Sequence, residues 1–256
     1  MLRNATHDKN PSFKKHALLK SGKNFSFILS YQINVRISFG VSLIQLPLVQ
    51  PVLLNTILLE SNFETLIASF IENKVGISNQ FLSKELAERL KINLLALNKD
   101  KLLVAAGIGN TNNLIHNTAI RSDAIYWLDR KHNNSSETDF LNLVEDFIRY
   151  LNISCYAGIT SCEFHFSLYE IGSFYKKHLD QFQNNSNRKY SMISYLNEDW
   201  QENDGGQLLI YHADSNQKIS PEQGKTVFFK SDELPHEVLV TQERRMSVTG
   251  WLKSSN

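Results

Sequence analysis

Beyond Tyr156 the chain abandons the helical period for short alternating runs, and no other feature constrains its fold as much. The runs are Glu163–Tyr169, Tyr190–Leu196, Gln207–His212, Thr226–Phe229 and Met246–Leu252. Turn-forming residues separate them at Asn184–Asn187, Gly205–Gly206 and Pro221–Gly224. Along a strand, successive side chains point to opposite faces, so each run has an apolar face to bury and no adjoining helix to cover it. Strands in that position pair antiparallel and stack sheet on sheet, which predicts a sandwich or jelly roll.

Upstream the period is helical. Phe63, Leu66, Ile67, Phe70 and Ile71 predict a helix over 62–73. A second is expected over 81–97, carrying Leu82, Leu86, Leu90, Ile92 and Leu95 near one face. A third is expected over 136–151, with Ser136 as N-cap and Asp139 in its first turn. Between them lie a short strand at 76–78, a buried strand at 125–128 and a long Gly-, Asn- and Thr-rich loop over 105–119. The expected fold class is α+β: a double-stranded β-helix (jelly roll) core flanked by N-terminal helices.

Composition sets limits. The 256 residues hold one domain with a real core, and 42% apolar with 21% charged residues is ordinary for a globular protein. A net charge of +1 requires no basic face, so no nucleic-acid partner is expected. No run reaches the roughly 18 uninterrupted apolar residues of a membrane span. The nearest, Ile37 to Leu54, is broken by Gln45, Pro47, Gln50 and Pro51, starts far from the N-terminus and lacks a signal-peptide cleavage pattern. A cytoplasmic protein with no membrane partner is the expectation. Cys155 and Cys162 form no CxxC pair and are read as reduced, buried thiols.

The first sixty residues differ from the rest. Lys9, Lys14, Lys15, Lys20 and Lys23 sit among Asn and Ser, and an apolar stretch without clear period follows. The expected division is an N-terminal extension over 1–61 and a domain over 62–256. Two readings of the extension stand open. It is an appendage that docks or targets the protein, or it reflects an upstream start, with the chain proper beginning near 52–59. The exposed apolar stretch it would otherwise present favours the second.

The sharpest chemical signal is the triplet His178-Leu179-Asp180. Residues i and i+2 of a strand share a face, so imidazole and carboxylate converge on one ion. Alone the triplet is weak: with eight His and eleven Asp it arises by chance in about one such sequence in three. His236, near a strand start, supplies a third ligand. Two His and one carboxylate make the facial triad of non-haem iron(II) oxygenases, which leaves positions open for co-substrate and oxygen. Arg245, Ser247, Thr249 and Trp251 share one strand face, and the Arg245 fork is a natural receptor for a carboxylate. Arg244 points the other way. Tyr195 offers a hydroxyl to the same carboxylate, and Tyr169 is placed to line the pocket.

Assembled, these segments resemble the hypoxia-type prolyl hydroxylases and their bacterial relatives. The similarity is carried by Tyr169-Glu-Ile-Gly-Ser-Phe-Tyr-Lys-Lys-His178-Leu-Asp180, by Arg188-x6-Tyr195-Leu-Asn-x2-Trp200 with Gly205-Gly206-x-Leu208, and by His236-Glu-Val-x6-Arg245-x-Ser247-x-Thr249-Gly-Trp251. Upstream, Arg121-Ser-Asp123-x3-Trp127-Leu128 looks like the family's R-x-D-x-I-x-W segment, and the resemblance runs from about Phe63 to Trp251. It implies iron(II) on His178, Asp180 and His236. It implies 2-oxoglutarate held by Arg245 and Tyr195, in a pocket lined by Tyr169, Thr249 and Ser247. O2 and L-ascorbate complete the implied cofactor set, and a protein or peptide hydroxylated at proline is the implied partner. The loop from Gly107 to Ile120 would cover that peptide, stabilised by an ion pair between Asp123 and Arg188. A small-molecule or nucleic-acid oxygenase, or a non-catalytic jelly-roll binding module, remains as the alternative.

Overall fold

A computed structural model describes residues 49–107, 117–181 and 186–255, with side chains from Leu58 onward. These residues belong to the second of the chain's two compact units, Gln45–Asn256. The fold is most easily read from β4 (Ser161–Tyr169), where alternation has sorted two sets of residues. Phe164, Phe166 and Leu168 face a core shared with the helices, while Tyr169, the residue next after Leu168, joins a separate core on the opposite face. β11 (Arg245–Lys253) repeats the pattern, with Met246, Val248 and Leu252 on the helix side.

β4 and β11 lie in a seven-stranded antiparallel sheet. Its other strands are β1 (Val75–Ser78), β2 (Val104–Ala105), β3 (Ala124–Trp127), β6 (Arg188–Tyr195) and β9 (Thr226–Lys230). Their order is β1-β9-β6-β11-β4-β3-β2. A four-stranded sheet, β5-β10-β7-β8, is built from β5 (Tyr175–His178), β7 (Leu208–Tyr211), β8 (Asn216–Ile219) and β10 (His236–Val238). Inner-face residues of both sheets, among them Tyr169, Tyr195, Phe229, Leu208 and Ile210, form one apolar cluster. This is the expected jelly-roll core. Full burial of a Leu or Phe is worth about 1.5–3 kcal/mol, so either face alone is a large share of the stability.

Three helices cover the outer face of the larger sheet: α1 (Val49–Asn73), α2 (Lys84–Lys99) and α3 (Ser135–Cys155). The helix expected over 62–73 is the second half of α1, and Ser61, where the sequence pattern sharpens, lies inside it. α2 begins later than expected, because Ser83 caps it by accepting from the Leu86 N–H; Phe81 and Leu82 are buried just ahead of it. α3 is capped not by Ser136 but by Asn134, whose Oδ1 accepts from the N–H groups of Ser136 and Glu137. Strand β8 was not expected. Nor is Cys155 buried: it ends α3 and is exposed, while Cys162 is half-buried, and both are free thiols. The loop expected over 105–119 falls largely on residues 108–116, outside the described residues. Among the described residues, no helix is long and apolar enough to cross a membrane.

Candidate active site

Between the sheets lies a cavity of about 400 Å³ whose lining includes His178, Asp180, His236, Tyr169, Arg245 and Thr249. Strand pairing brings the first three together. β10 runs antiparallel to β5 with His236 opposite His178, and Asp180 follows two residues after the end of β5. The Nε2 atoms of His178 and His236 each lie 3.5 Å from an oxygen of Asp180. One ligand atom from each residue falls within 4.8 Å of the other two.

The imidazoles are set for coordination. Nδ1 of His178 is 2.7 Å from the Lys176 carbonyl, and Nδ1 of His236 is 3.0 Å from the Leu234 carbonyl. A carbonyl can only accept, so each Nδ1 carries the proton and each Nε2 keeps a free lone pair. Burial pushes His236 down to about 4, against the attraction of Asp180, so this ring is neutral at physiological pH. Burial works the other way on Asp180, favouring the acid. The imidazoles of His236 and His178 and the Ser191 hydroxyl outweigh it and hold the carboxyl well below its usual range. Ser191 Oγ donates to Asp180 Oδ2 at 2.6 Å and sits 2.9 Å from Ser231 Oγ. Tyr175 stacks on His178 with ring centroids 3.6 Å apart, and Phe229 meets His236 edge-on. Two imidazoles, each with its Nε2 turned toward Asp180, and one carboxylate, with no thiolate, suit iron(II).

Arg245 stands on the larger sheet, opposite Tyr169 of β4, and is 1% exposed. Its Nε donates to the Gly206 carbonyl at 2.8 Å. Gly206 has φ +61, and a Cβ there would come within 3.0 Å of Arg245 Cδ, so glycine is what lets the backbone approach the guanidinium. Among the described residues, no carboxylate lies within ion-pair distance of Arg245. Tyr195, fully buried behind the cavity lining, has its ring 5.1 Å from the guanidinium, and its hydroxyl has no hydrogen-bond partner. A buried cation without a counterion and a buried hydroxyl without an acceptor are both costly, and the carboxylate of 2-oxoglutarate would satisfy both. Ser247, expected in this pocket, is fully buried off the cavity lining, its Oγ 3.2 Å from Thr249 Oγ1. Arg244 faces outward and pairs with Glu170.

The expected ion pair between Asp123 and Arg188 is not formed. Asp123 receives both arms of Arg121, Nε on Oδ1 at 2.8 Å and Nη2 on Oδ2 at 2.7 Å. Arg188 donates through Nε and Nη2 to Glu163 and stacks 3.4 Å over the Trp251 ring. Proximity decides it: Arg121 and Asp123 are two apart on an extended segment and share a face. The Asp123 contacts keep the Arg121 guanidinium charged although burial alone would lower its pKa. The sequence reading missed Ser191, Tyr175 and His165. Strand alternation could have flagged two of them, since His165 is in phase with Tyr169 and Ser191 with Tyr195.

Comparisons with known proteins agree with this chemistry. The profile described as the 2OG-Fe(II) oxygenase superfamily matches residues 164–253. Human Egl nine homolog 1 is 28% identical over 206 residues, which cover 70% of this chain and 44% of that protein, so the chain spans less than half of this curated relative. Among solved structures, a Pseudomonas putida prolyl-4-hydroxylase is 30% identical with a TM-score of 0.68, covering 76% of this chain and 100% of that one. A Trichoplax adhaerens prolyl hydroxylase, solved with a hypoxia inducible factor oxygen degradation domain peptide fragment, shares the fold with a TM-score of 0.70 at 24% identity. It covers 78% of this chain and 93% of that one.

Proposed function

This chain belongs to the prolyl hydroxylase family of 2OG-Fe(II) oxygenases, and from that footing we propose that it hydroxylates prolyl residues of a protein substrate, consuming O2 and 2-oxoglutarate. The observation that carries the reading is the pairing, within one cavity, of an open His178–Asp180–His236 triad and an uncompensated Arg245. A passive binding module has no use for either.

Iron(II) bound at the triad supplies oxygen activation coupled to oxidative decarboxylation of 2-oxoglutarate, giving succinate and CO2. The chain's own residues do the placing. His178 and His236 offer lone pairs from rings whose other nitrogens are fixed, and Ser191 orients Asp180. Arg245 and the Tyr195 hydroxyl take the far carboxylate of the co-substrate, while Tyr169 and Thr249 form walls. Tyr169 and Tyr195 are both buried against Arg245, which keeps that charge interaction out of water. Within the same reading L-ascorbate serves as accessory reductant. Both cysteines are free, the state that a reducing compartment maintains, and the reading places the protein in the cytoplasm.

The test has two parts. Purified protein should convert 2-oxoglutarate to succinate only with iron(II). Mass spectrometry of proteins from cells with and without the gene should reveal a prolyl residue that gains one oxygen only when the gene is present. Succinate formation without any such residue would redirect the assignment to a small-molecule or nucleic-acid substrate.

A further inference from the structure

A third histidine lines the cavity, outside the metal triad. His165 of β4 lies opposite Thr249 on β11 and opposite Trp127 on β3, and is 3% exposed. Its Nδ1 is 3.1 Å from the Phe166 carbonyl and 3.1 Å from Ser167 Oγ. The Ser167 hydroxyl can take either role but the carbonyl can only accept, and its contact is satisfied only with the proton on Nδ1, as in His178 and His236; Nε2 then keeps the lone pair. The triad histidines turn that lone pair toward a metal position. His165 has no such neighbour, and the hydrogen bonds of its side chain to the described residues are both made through Nδ1, none through Nε2. Burial, reinforced by Arg121 and Arg188, pushes the ring down to about 4 against the pull of the Phe166 carbonyl and Asp123. The group is therefore a neutral, acceptor-only nitrogen on the cavity wall.

Its surroundings suggest what it accepts. Trp127 and Trp251 stand 5.0 and 5.7 Å from the imidazole, centroid to centroid, and 6.4 Å from each other, making an aromatic corner. Trp127 is 44% exposed, so the corner opens toward solvent, away from buried Arg245. Arg188 covers one face of the buried Trp251, so the indole left open for the apolar face of a prolyl ring to pack on is that of Trp127. The polar groups flanking a peptidyl proline are two carbonyls and the N–H of the next residue, because proline's own nitrogen carries no hydrogen. Only that N–H can donate to an acceptor-only nitrogen.

We propose that His165 is a specificity-determining residue that accepts a hydrogen bond from the main-chain N–H of the residue following the target proline. This rests on the prolyl hydroxylase reading above. It implies discrimination against proline, or any N-alkylated residue, at the following position.

The test uses the full chain loaded with Zn(II) and labelled with 15N-histidine. The His165 Nε2 resonance is expected at the position of an unprotonated ring nitrogen. Titration with acetyl-proline methylamide should shift it, and acetyl-proline dimethylamide, which lacks the N–H, should not. A protonated Nε2, or equal or absent responses to the two amides, overturns the proposal. The iron(II) enzyme supplies the second arm, with Ala-Ala-Pro-Ala-Ala compared against the same peptide N-methylated after proline. His165→Leu should raise KM for the first peptide by roughly three- to tenfold, the worth of one hydrogen bond. It should leave kcat and the 2-oxoglutarate KM unchanged and erase the preference between peptides, while His165→Gln, which restores an acceptor, should recover part of it. An effect on the 2-oxoglutarate KM instead would assign His165 to the co-substrate and overturn the proposal. If the methylamide shifts Nε2 while neither peptide is oxidised, the prolyl reaction fails and the acceptor role stands.

Discussion

Two arginines reach into the same cavity and are held in opposite ways. Arg121, toward the outer side, places two arms on Asp123 and lies over the Tyr175 ring. Arg245, at the deep end, gives one hydrogen bond to a backbone carbonyl and faces no carboxylate among the described residues. A buried bidentate pair such as Arg121–Asp123 is complete in itself and serves architecture. A buried guanidinium with its fork open is incomplete until an anion arrives, and the energy of that completion is available for binding. The difference separates the part of the cavity that is built from the part that is waiting.

An anion awaited by Arg245 matters only if the metal triad turns over co-substrate, and the largest expected effect is on that turnover. His236→Ala or Asp180→Asn should reduce iron-dependent succinate formation to background while far-ultraviolet circular dichroism stays native. Near-full turnover by His236→Ala would falsify the triad.

The contrast between the arginines is sharpest in stability. Asp123→Ala leaves the Arg121 charge buried and unpaired and should cost about 3–5 kcal/mol of folding free energy, read by denaturant unfolding. Arg245→Met removes a charge that already lacks a counterion, so its midpoint without ligand should lie close to the parent's or above it. Comparable destabilisation by both substitutions would break the distinction.

A smaller effect probes the metal end. Ser191→Ala removes the hydroxyl that orients Asp180, and iron(II) affinity should fall by about 10- to 100-fold, as for other outer-shell partners. Competition against a calibrated chelator gives the number, and an unchanged affinity would show that the strand alone fixes the carboxylate.

The smallest difference bears on register. Arg245→Lys keeps the charge and loses the fork, and should raise the 2-oxoglutarate KM by about tenfold, or ~1.4 kcal/mol. Arg244→Lys disturbs only an exposed pair with Glu170, for which less than about 1 kcal/mol is at stake, and KM should hardly move. Equal shifts would mean that the strand face has been misassigned.

Much of this was legible in the residues themselves. Period-two alternation placed Arg245, Thr249 and Trp251 on one face and Arg244 on the other, because the pleat leaves a strand no choice. The same rule covers Ser247 but does not say whether a hydroxyl meets ligand or neighbour, and here it meets Thr249. The Asp123–Arg188 pairing failed for a related reason. Charge type identifies possible partners, whereas distance selects among them, and Arg121 and Glu163 were nearer.

Periodicity points to an antiparallel double sheet behind helices, and residue type, together with the family resemblance, points to His178, Asp180, His236 and Arg245 as its candidate chemical residues. Those are local properties, set by side-chain alternation and donor chemistry. Partner choice was decided by tertiary structure. The antiparallel register of β10 on β5 sets His236 against His178, and β4 carries His165 into the aromatic corner of Trp127 and Trp251. The fold of Gly206 against Arg245 leaves that fork open. Cross-strand register joins residues far apart in sequence through backbone hydrogen bonds that every residue type can make, so side-chain pattern alone does not encode it.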